Sequence, residues 1–170
     1  MINLHRDHLL VLPEDDANRQ FLTGLDFNPR IDPTRMHVLD PAGGWTDVLD
    51  AINREAKKNR IHQLGNRCQH LLLLIDFDDA VAARQQRYAN LKSKLPPGCA
   101  DRVYLLGSWK TPEKFKAACN YRDPLYKLGL ALSSDCPPGA NGLWTHAHLQ
   151  HNAAELARLA AQVPPFLFRC

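Results

Sequence analysis

The sequence predicts an α/β protein whose mostly parallel sheet, of four strands or slightly more, carries helices on both faces. Three observations support this prediction. Short apolar segments alternate with helical patterns, one segment is a continuous apolar run, and prolines and glycines separate the elements. Such alternation is typical of parallel strands joined by right-handed helical crossovers. After the fourth strand the patterns are helical only, which predicts a helical C-terminal extension.

The predicted elements follow from local patterns of apolar spacing and from helix-breaking residues. The third strand is the clearest, because His70 is followed by an apolar run that ends at Asp76. Such a run indicates a strand buried on both faces. The predicted strands are 8–13, 36–39, 70–75 and 102–106, and the helical stretches are 18–25, 45–57, 80–95, 112–119, 125–132 and 144–163.

Length and composition limit the class of protein. The chain has 170 residues, of which 45% are hydrophobic and 23% charged, and its net charge is +3. These values predict one globular domain over 1–170, with an α/β core at 5–108 and the helical extension at 109–170. They exclude disordered, collagen-like and coiled-coil classes. The small charge surplus neither demonstrates nor opposes nucleic-acid binding.

The sequence has no pattern typical of a membrane span, a signal peptide or a complete disulfide framework. The longest wholly apolar run, 71–75, is far shorter than the ~20 residues that span a bilayer. The first residues lack a signal-peptide pattern, so we expect a cytoplasmic protein with no membrane partner. Five cysteines without a C-x-x-C motif predict free thiols.

Acidic residues cluster after two of the predicted strands. Glu14–Asp16 follows the first strand, and Asp76–Asp79, with acids at 76, 78 and 79, follows the third. Ligands of open parallel sheets bind outside the carboxyl ends of the strands, and strands one and three are commonly neighbours. Converging carboxylates favour Mg²⁺ or Mn²⁺, and they make phosphoryl transfer the first reaction class to consider.

Acids in these positions also have an ordinary role as helix caps and first-turn residues. Asp79 is the expected cap of the third helix. Asp76 and Asp78 are the more specific pair, because alternate residues leaving a strand point to the same side of the backbone.

A family resemblance rests on Glu14 after strand one, on Gly43 and Gly44 after strand two, and on the Asp76-Phe-Asp78 motif after strand three. In these features 8–108 resembles the TOPRIM fold of topoisomerases, bacterial primases, small RNA-maturation nucleases and OLD-type nucleases. The resemblance implies a Rossmann-like sheet, a nucleic-acid partner, Glu14 as metal ligand or general acid/base, and Mg²⁺ on Asp76 and Asp78.

Differences between this sequence and the TOPRIM pattern narrow the functions that the resemblance implies. Asp15 stands where the family often has glycine, and the chain is too short for a topoisomerase or a complete primase. A small stand-alone Mg²⁺-dependent nuclease remains, or a binding domain that has kept the acidic site and acts with a protein partner or as a homo-oligomer.

Two other resemblances are weaker. The segment around Glu14 and Asp15 also resembles the start of a response-regulator receiver, in which Asp76 and Ser108 would fill the phosphoacceptor and hydroxyl roles. The Asp76-Phe-Asp78 pair resembles a HAD phosphatase motif, but Ala80 stands where that motif has threonine. The alternative function is therefore a non-catalytic signalling or interaction module.

Three further patterns carry weaker predictions. Gly43 and Gly44 precede a helix and could present backbone N–H groups to a phosphate. Arg84 and Lys110 are the first candidates for phosphate contacts in a basic region, and Lys110 could stabilise charge on a phosphoryl group. The polar residues at 148, 151, 152 and 155 share one stripe of the last predicted helix, which indicates an outer, solvated face.

Overall fold

The computed structural model describes residues 6–57, 69–77, 81–95, 100–135 and 142–168. The elements are β1 (His8–Pro13), α1 (Asp16–Asp26), β2 (Met36–Val38), α2 (Trp45–Lys57), β3 (Gln69–Asp76), α3 (Val81–Lys94), β4 (Val103–Ser108), α4 (Pro112–Ala118), α5 (Leu125–Ser134), α6 (Ala153–Gln162) and α7 (Pro164–Leu167).

The four strands form one parallel sheet in the order β2-β1-β3-β4. In register, Leu12 of β1 pairs with Leu73 of β3, and Leu73 pairs with Leu105 of β4. The two central strands are therefore the two that precede the acidic clusters. The predicted fold class is confirmed, a Rossmann-like α/β fold with a helical C-terminal part.

Helices cover both faces of the sheet because successive strand residues point to opposite sides. One face packs against α2 and α3, and the other packs against α1, α6 and α7. The first core contains Leu10, Leu12, Val48, Ile52, Leu71, Leu73, Leu91 and Leu105. The second contains Leu9, Val11, Leu22, Leu72, Tyr104, Leu156, Leu159 and Leu167. Helices α6 and α7 thus complete one face of the sheet, whereas α4 and α5 form a third core around Phe115, Leu128 and Leu132.

A close helix pair joins α1 to the C-terminal part. A Cβ on Gly24 would lie 2.0 Å from the Tyr126 carbonyl oxygen, and one on Gly129 would lie 1.9 Å from that of Phe21. Both distances are far inside van der Waals contact. The two helix backbones therefore approach at a place that only glycine permits.

The predicted single helix over 144–163 is wrong in its first half. The structure has 3₁₀ turns at Leu143–Thr145 and Gln150–Asn152, and a regular helix only over Ala153–Gln162. The reason is tertiary. The carbonyl of His148 accepts a hydrogen bond from the Trp109 N–H at 3.2 Å, which ties this backbone to the end of β4 instead of to a helix.

The polar stripe on this segment is also not an outer face. Asn152 and Glu155 are 0% and 7% exposed, and His151 is only partly exposed. Their partners explain the error, because Asn152 and Glu155 bond to the backbone of the edge strand β4. Side chains that satisfy a sheet edge must be polar although they are buried.

Some predictions fall outside the described residues, namely those on Asp78, Asp79, Ala80 and the cysteines at 68, 99, 136 and 170. Cys119 has a free thiol, as predicted. Within the described ranges, every helix is too short or too polar to cross a membrane.

Candidate functional site

Glu14 and Asp76 meet at the carboxyl edge of the sheet. The Asp76 N–H donates a hydrogen bond to Glu14 Oε2 at 2.8 Å, across 62 residues of sequence. Asp76 is 8% exposed, and Glu14 is partly exposed. The Glu14 carboxylate therefore meets the backbone of Asp76 at one edge of the sheet, and the predicted metal site on these two residues stays a prediction.

The strand register explains why they meet. Pro13, the last residue of β1, pairs with Leu74 of β3, and the next N–H, that of Glu14, donates to the Leu74 carbonyl at 2.9 Å. Asp76 lies two residues further along β3, within reach of the longer Glu14 side chain. The glutamate therefore spans the two strand ends from a position that the backbone holds.

The end of β4 adds a hydroxyl and a cation to this edge. Ser108 is the register partner of Asp76, and its Oγ accepts a hydrogen bond from the Lys110 N–H at 3.3 Å. The Phe77 N–H donates to the Ser108 carbonyl at 3.0 Å. Lys110 is partly exposed. Acid, hydroxyl and ammonium-bearing residues thus follow three neighbouring strands.

Asp15 is the N-cap residue of α1. Its Oδ1 accepts hydrogen bonds from the Asn18 N–H at 2.9 Å and from Asn18 Nδ2 at 3.0 Å, at the start of α1. Asp16, in the first turn of that helix, is exposed. Of the first acidic cluster, only Glu14 reaches the neighbouring strand.

The two glycines after β2 bind the same glutamate through its backbone. The N–H groups of Gly43 and Gly44 donate to the Glu14 carbonyl at 2.9 and 3.1 Å. Both glycines have positive φ angles, 104° and 133°, which other residues rarely adopt. In this conformation the pair fastens the loop before α2 to the end of β1, and its role toward phosphate stays a prediction.

Arginine and tryptophan side chains border the acid pair. The Arg87 guanidinium lies 5.2 Å from the Trp45 ring centroid and donates to the Asp76 carbonyl. The Arg84 guanidinium lies 5.8 Å from the ring of Phe77. Of these, Arg84 was the predicted phosphate contact. The part played by the tryptophans was missed, because Trp45 fits an apolar helix stripe and Trp109 stands alone in the sequence.

His151 lies against the same aromatic group. Its ring is 4.1 Å from the Trp109 ring and 5.4 Å from that of Phe77, centroid to centroid. Burial, with a smaller contribution from Arg84, lowers the pKa of His151 to about 4. The imidazole is therefore neutral near pH 7, and an uncharged ring lies against the tryptophan.

The residue types at this edge are of the kind that Mg²⁺ prefers, because carboxylates are hard oxygen donors. In those residues there is no cluster of three His, Cys, Asp or Glu side chains that could hold a metal ion. Mg²⁺ commonly binds proteins through only one or two carboxylates and keeps several waters. Glu14 and Asp76 are two carboxylate residues at neighbouring strand ends, and Asp78 lies outside the described residues.

The chain was compared with protein-family models, curated proteins and solved structures. No protein-family model, curated protein or solved structure matches it. The class is therefore defined by the structure itself: a parallel α/β protein with an acidic carboxyl edge. Its function must be argued from that edge.

Proposed function

We propose that this chain is a TOPRIM-like, Mg²⁺-dependent nucleic-acid-processing domain that hydrolyses phosphodiester bonds at the Glu14–Asp76 edge. The observation that carries the proposal is the hydrogen bond from the Asp76 backbone N–H to Glu14 Oε2, which ties the Glu14 carboxylate to the strand end where Asp76 lies. This is the place where parallel α/β sheets bind their ligands.

Each residue of the edge has a role in the proposed reaction. Glu14 and Asp76 would hold the metal, and the same glutamate would take the proton from the attacking water. When bound, the metal polarises the phosphate and offsets the negative charge of its oxygens. Lys110 stabilises charge that develops on the phosphoryl group. Arg84 is positioned to contact a flanking phosphate.

The test combines metal binding with cleavage. Calorimetry with Mn²⁺ should detect binding to the full chain, and Asp76→Asn and Glu14→Gln should abolish it. Incubation with a mixed set of DNA and RNA substrates in Mg²⁺ should give cleavage that falls at least a hundredfold in both variants. Asp78→Asn extends the same test to the second acid of the motif.

Asp16→Asn is the matched control. It removes the same charge two residues from Glu14, but Asp16 is exposed on α1, so binding and cleavage should be unchanged. Absence of Mn²⁺ binding at millimolar concentration would refute the metal site. Cleavage that survives in Asp76→Asn would refute the assigned residues.

A second candidate function is a receiver-like regulatory module in which Asp76 accepts a phosphoryl group. The register pairing of Asp76 with Ser108 favours it, and so does the strand order, which matches the first four strands of the 2-1-3-4-5 order of such folds. Incubation with acetyl phosphate followed by intact-mass measurement tests it. A phosphoryl adduct that Asp76→Asn removes would favour this function over the nuclease.

A further inference from the structure

We propose that Trp109 is a stacking platform for an unpaired base, so that the substrate class of the acidic edge is single-stranded nucleic acid. This inference rests on the proposed function, because it names the substrate of the same site. It starts from aromatic and arginine side chains that lie next to the backbone at the ends of β3 and β4.

Trp109 lies beside the proposed reaction centre. It directly follows Ser108, the register partner of Asp76, and its ring is 5.9 Å from that of Phe77, the residue after Asp76. Phe77 is fully buried, whereas Trp109 is only partly buried against the same core. A partly exposed indole therefore directly follows β4 and contacts the residue that follows Asp76 of β3.

The position of the indole is fixed by its neighbours. His151 lies against it at 4.1 Å between ring centroids, and the Trp109 N–H is bonded to the His148 carbonyl. A ring held in place in this way loses little conformational freedom when a base stacks on it. Any base can stack, so such a platform is tolerant of sequence.

Two arginine side chains lie beside the aromatic rings at this edge of the sheet. The Arg84 guanidinium lies 5.8 Å from the Phe77 ring centroid, and Arg87 bridges the Trp45 ring and the Asp76 carbonyl. Aromatic faces beside guanidinium groups suit a strand that presents bases and phosphates in alternation. A base-paired duplex keeps its bases stacked on one another, so their faces are unavailable to an indole, and we infer a preference for unpaired nucleotides.

The first experiment measures binding in EDTA, where metal-dependent cleavage is absent. Fluorescence anisotropy compares a short labelled single strand with a duplex of the same sequence. Wild-type protein should prefer the single strand, Trp109→Ala should weaken that binding about tenfold or more, and Trp109→Phe should stay within about threefold of wild type. Duplex binding should not respond to either variant.

The matched control is Trp144→Phe. Trp144 packs against the opposite face of the sheet, and its Nε1 donates to the Leu132 carbonyl, so single-strand binding should not change. A Trp45→Phe, Trp144→Phe double variant leaves Trp109 as the sole tryptophan of three. Its emission should be quenched by the single strand and not by the duplex, a readout that does not depend on the folding of Trp109→Ala.

The outcomes separate the two proposals. Equal single-strand affinity in wild type and Trp109→Ala, or equal quenching by both ligands, overturns the platform while metal-dependent cleavage can still stand. Trp109-dependent binding without any metal-dependent cleavage supports the platform and refutes the nuclease. A wild-type protein that binds no single strand refutes the platform.

Discussion

Two places on the sheet hold buried acids, and their surroundings differ. At the outer edge of β4, Glu155 forms a 2.8 Å ion pair with Arg158, accepts the Tyr88 hydroxyl at 2.9 Å and accepts the Leu105 N–H at 3.3 Å. At the carboxyl edge, Glu14 accepts the backbone N–H of Asp76, another acid, at 2.8 Å. An acid paired with an arginine stabilises a fold, whereas acids at two neighbouring strand ends are residues of the type that bind Mg²⁺.

This difference separates residues that stabilise the fold, at the outer edge of β4, from residues with a proposed chemical role, at the carboxyl edge. The network at the outer edge of β4 also includes Asn152, whose side-chain amide donates to the Gly107 carbonyl at 2.7 Å and accepts the Gly107 N–H at 3.1 Å. Side chains here form hydrogen bonds with the β4 backbone that a fifth strand would otherwise form. We therefore expect substitutions at this edge to lower stability, and substitutions at the carboxyl edge to lower activity.

The largest stability effect is expected for Glu155→Ala. Loss of this carboxylate removes the partner of Arg158, of the Tyr88 hydroxyl and of the Leu105 N–H. Because Arg158 is partly exposed, we expect a cost of about 3 kcal/mol, the low end for a buried ion pair. Urea unfolding measures the free energy of unfolding. Glu113→Ala, which removes an exposed glutamate of α4, is the control and should change it by less than about 0.5 kcal/mol. Equal values for the two variants would break the comparison.

Asn152→Ala should have the next largest effect. It exposes no new surface but leaves both backbone groups of Gly107 unsatisfied inside the protein, at a cost of about 2–3 kcal/mol in all. Gln150→Ala, two residues earlier and exposed, is its control. The same unfolding measurement applies, and a loss no greater than that of the control would show that this edge does not need its side-chain cover.

His151 predicts how stability depends on pH. Burial holds its pKa at about 4 in the folded state, against 6.5 for an unperturbed histidine. Its neutral form is therefore favoured by folding, so its contribution is full above pH 6.5 and is lost as the pH falls from 6.5 toward 4. His151→Gln should show a shallower decrease in unfolding free energy over that range than wild type. Parallel curves for the two proteins would contradict the assigned shift.

The smallest effect is expected at Asp15 and distinguishes the two kinds of acid within one cluster. Asp15→Ala should lower the free energy of unfolding by about 1 kcal/mol through loss of the α1 cap. Asp15→Asn should retain most of that stability, because its amide oxygen can also accept the Asn18 N–H. Neither change should alter Mn²⁺ affinity. A loss of Mn²⁺ binding in Asp15→Asn would extend the metal site beyond Glu14 and Asp76.

The sequence by itself predicted the fold class and the placement of Glu14 and Asp76 at neighbouring strand ends. Apolar runs and helix-breaking residues are local, so they located the four strands within a few residues, and the run before Asp76 identified a strand at the centre of the sheet. Acids at the ends of two neighbouring parallel strands must meet at one edge, so the approach of Glu14 to Asp76 followed from topology.

Only the tertiary structure decided what the C-terminal residues do. Asn152 and Glu155 have the spacing of a solvated helix face, and nothing in their order reveals that β4 is an edge strand in need of partners. Trp109 and His151 meet for the same reason, because the bond from Trp109 to the His148 carbonyl brings distant segments together. Periodicity reports which residues share a face, whereas burial depends on what the rest of the chain places against that face.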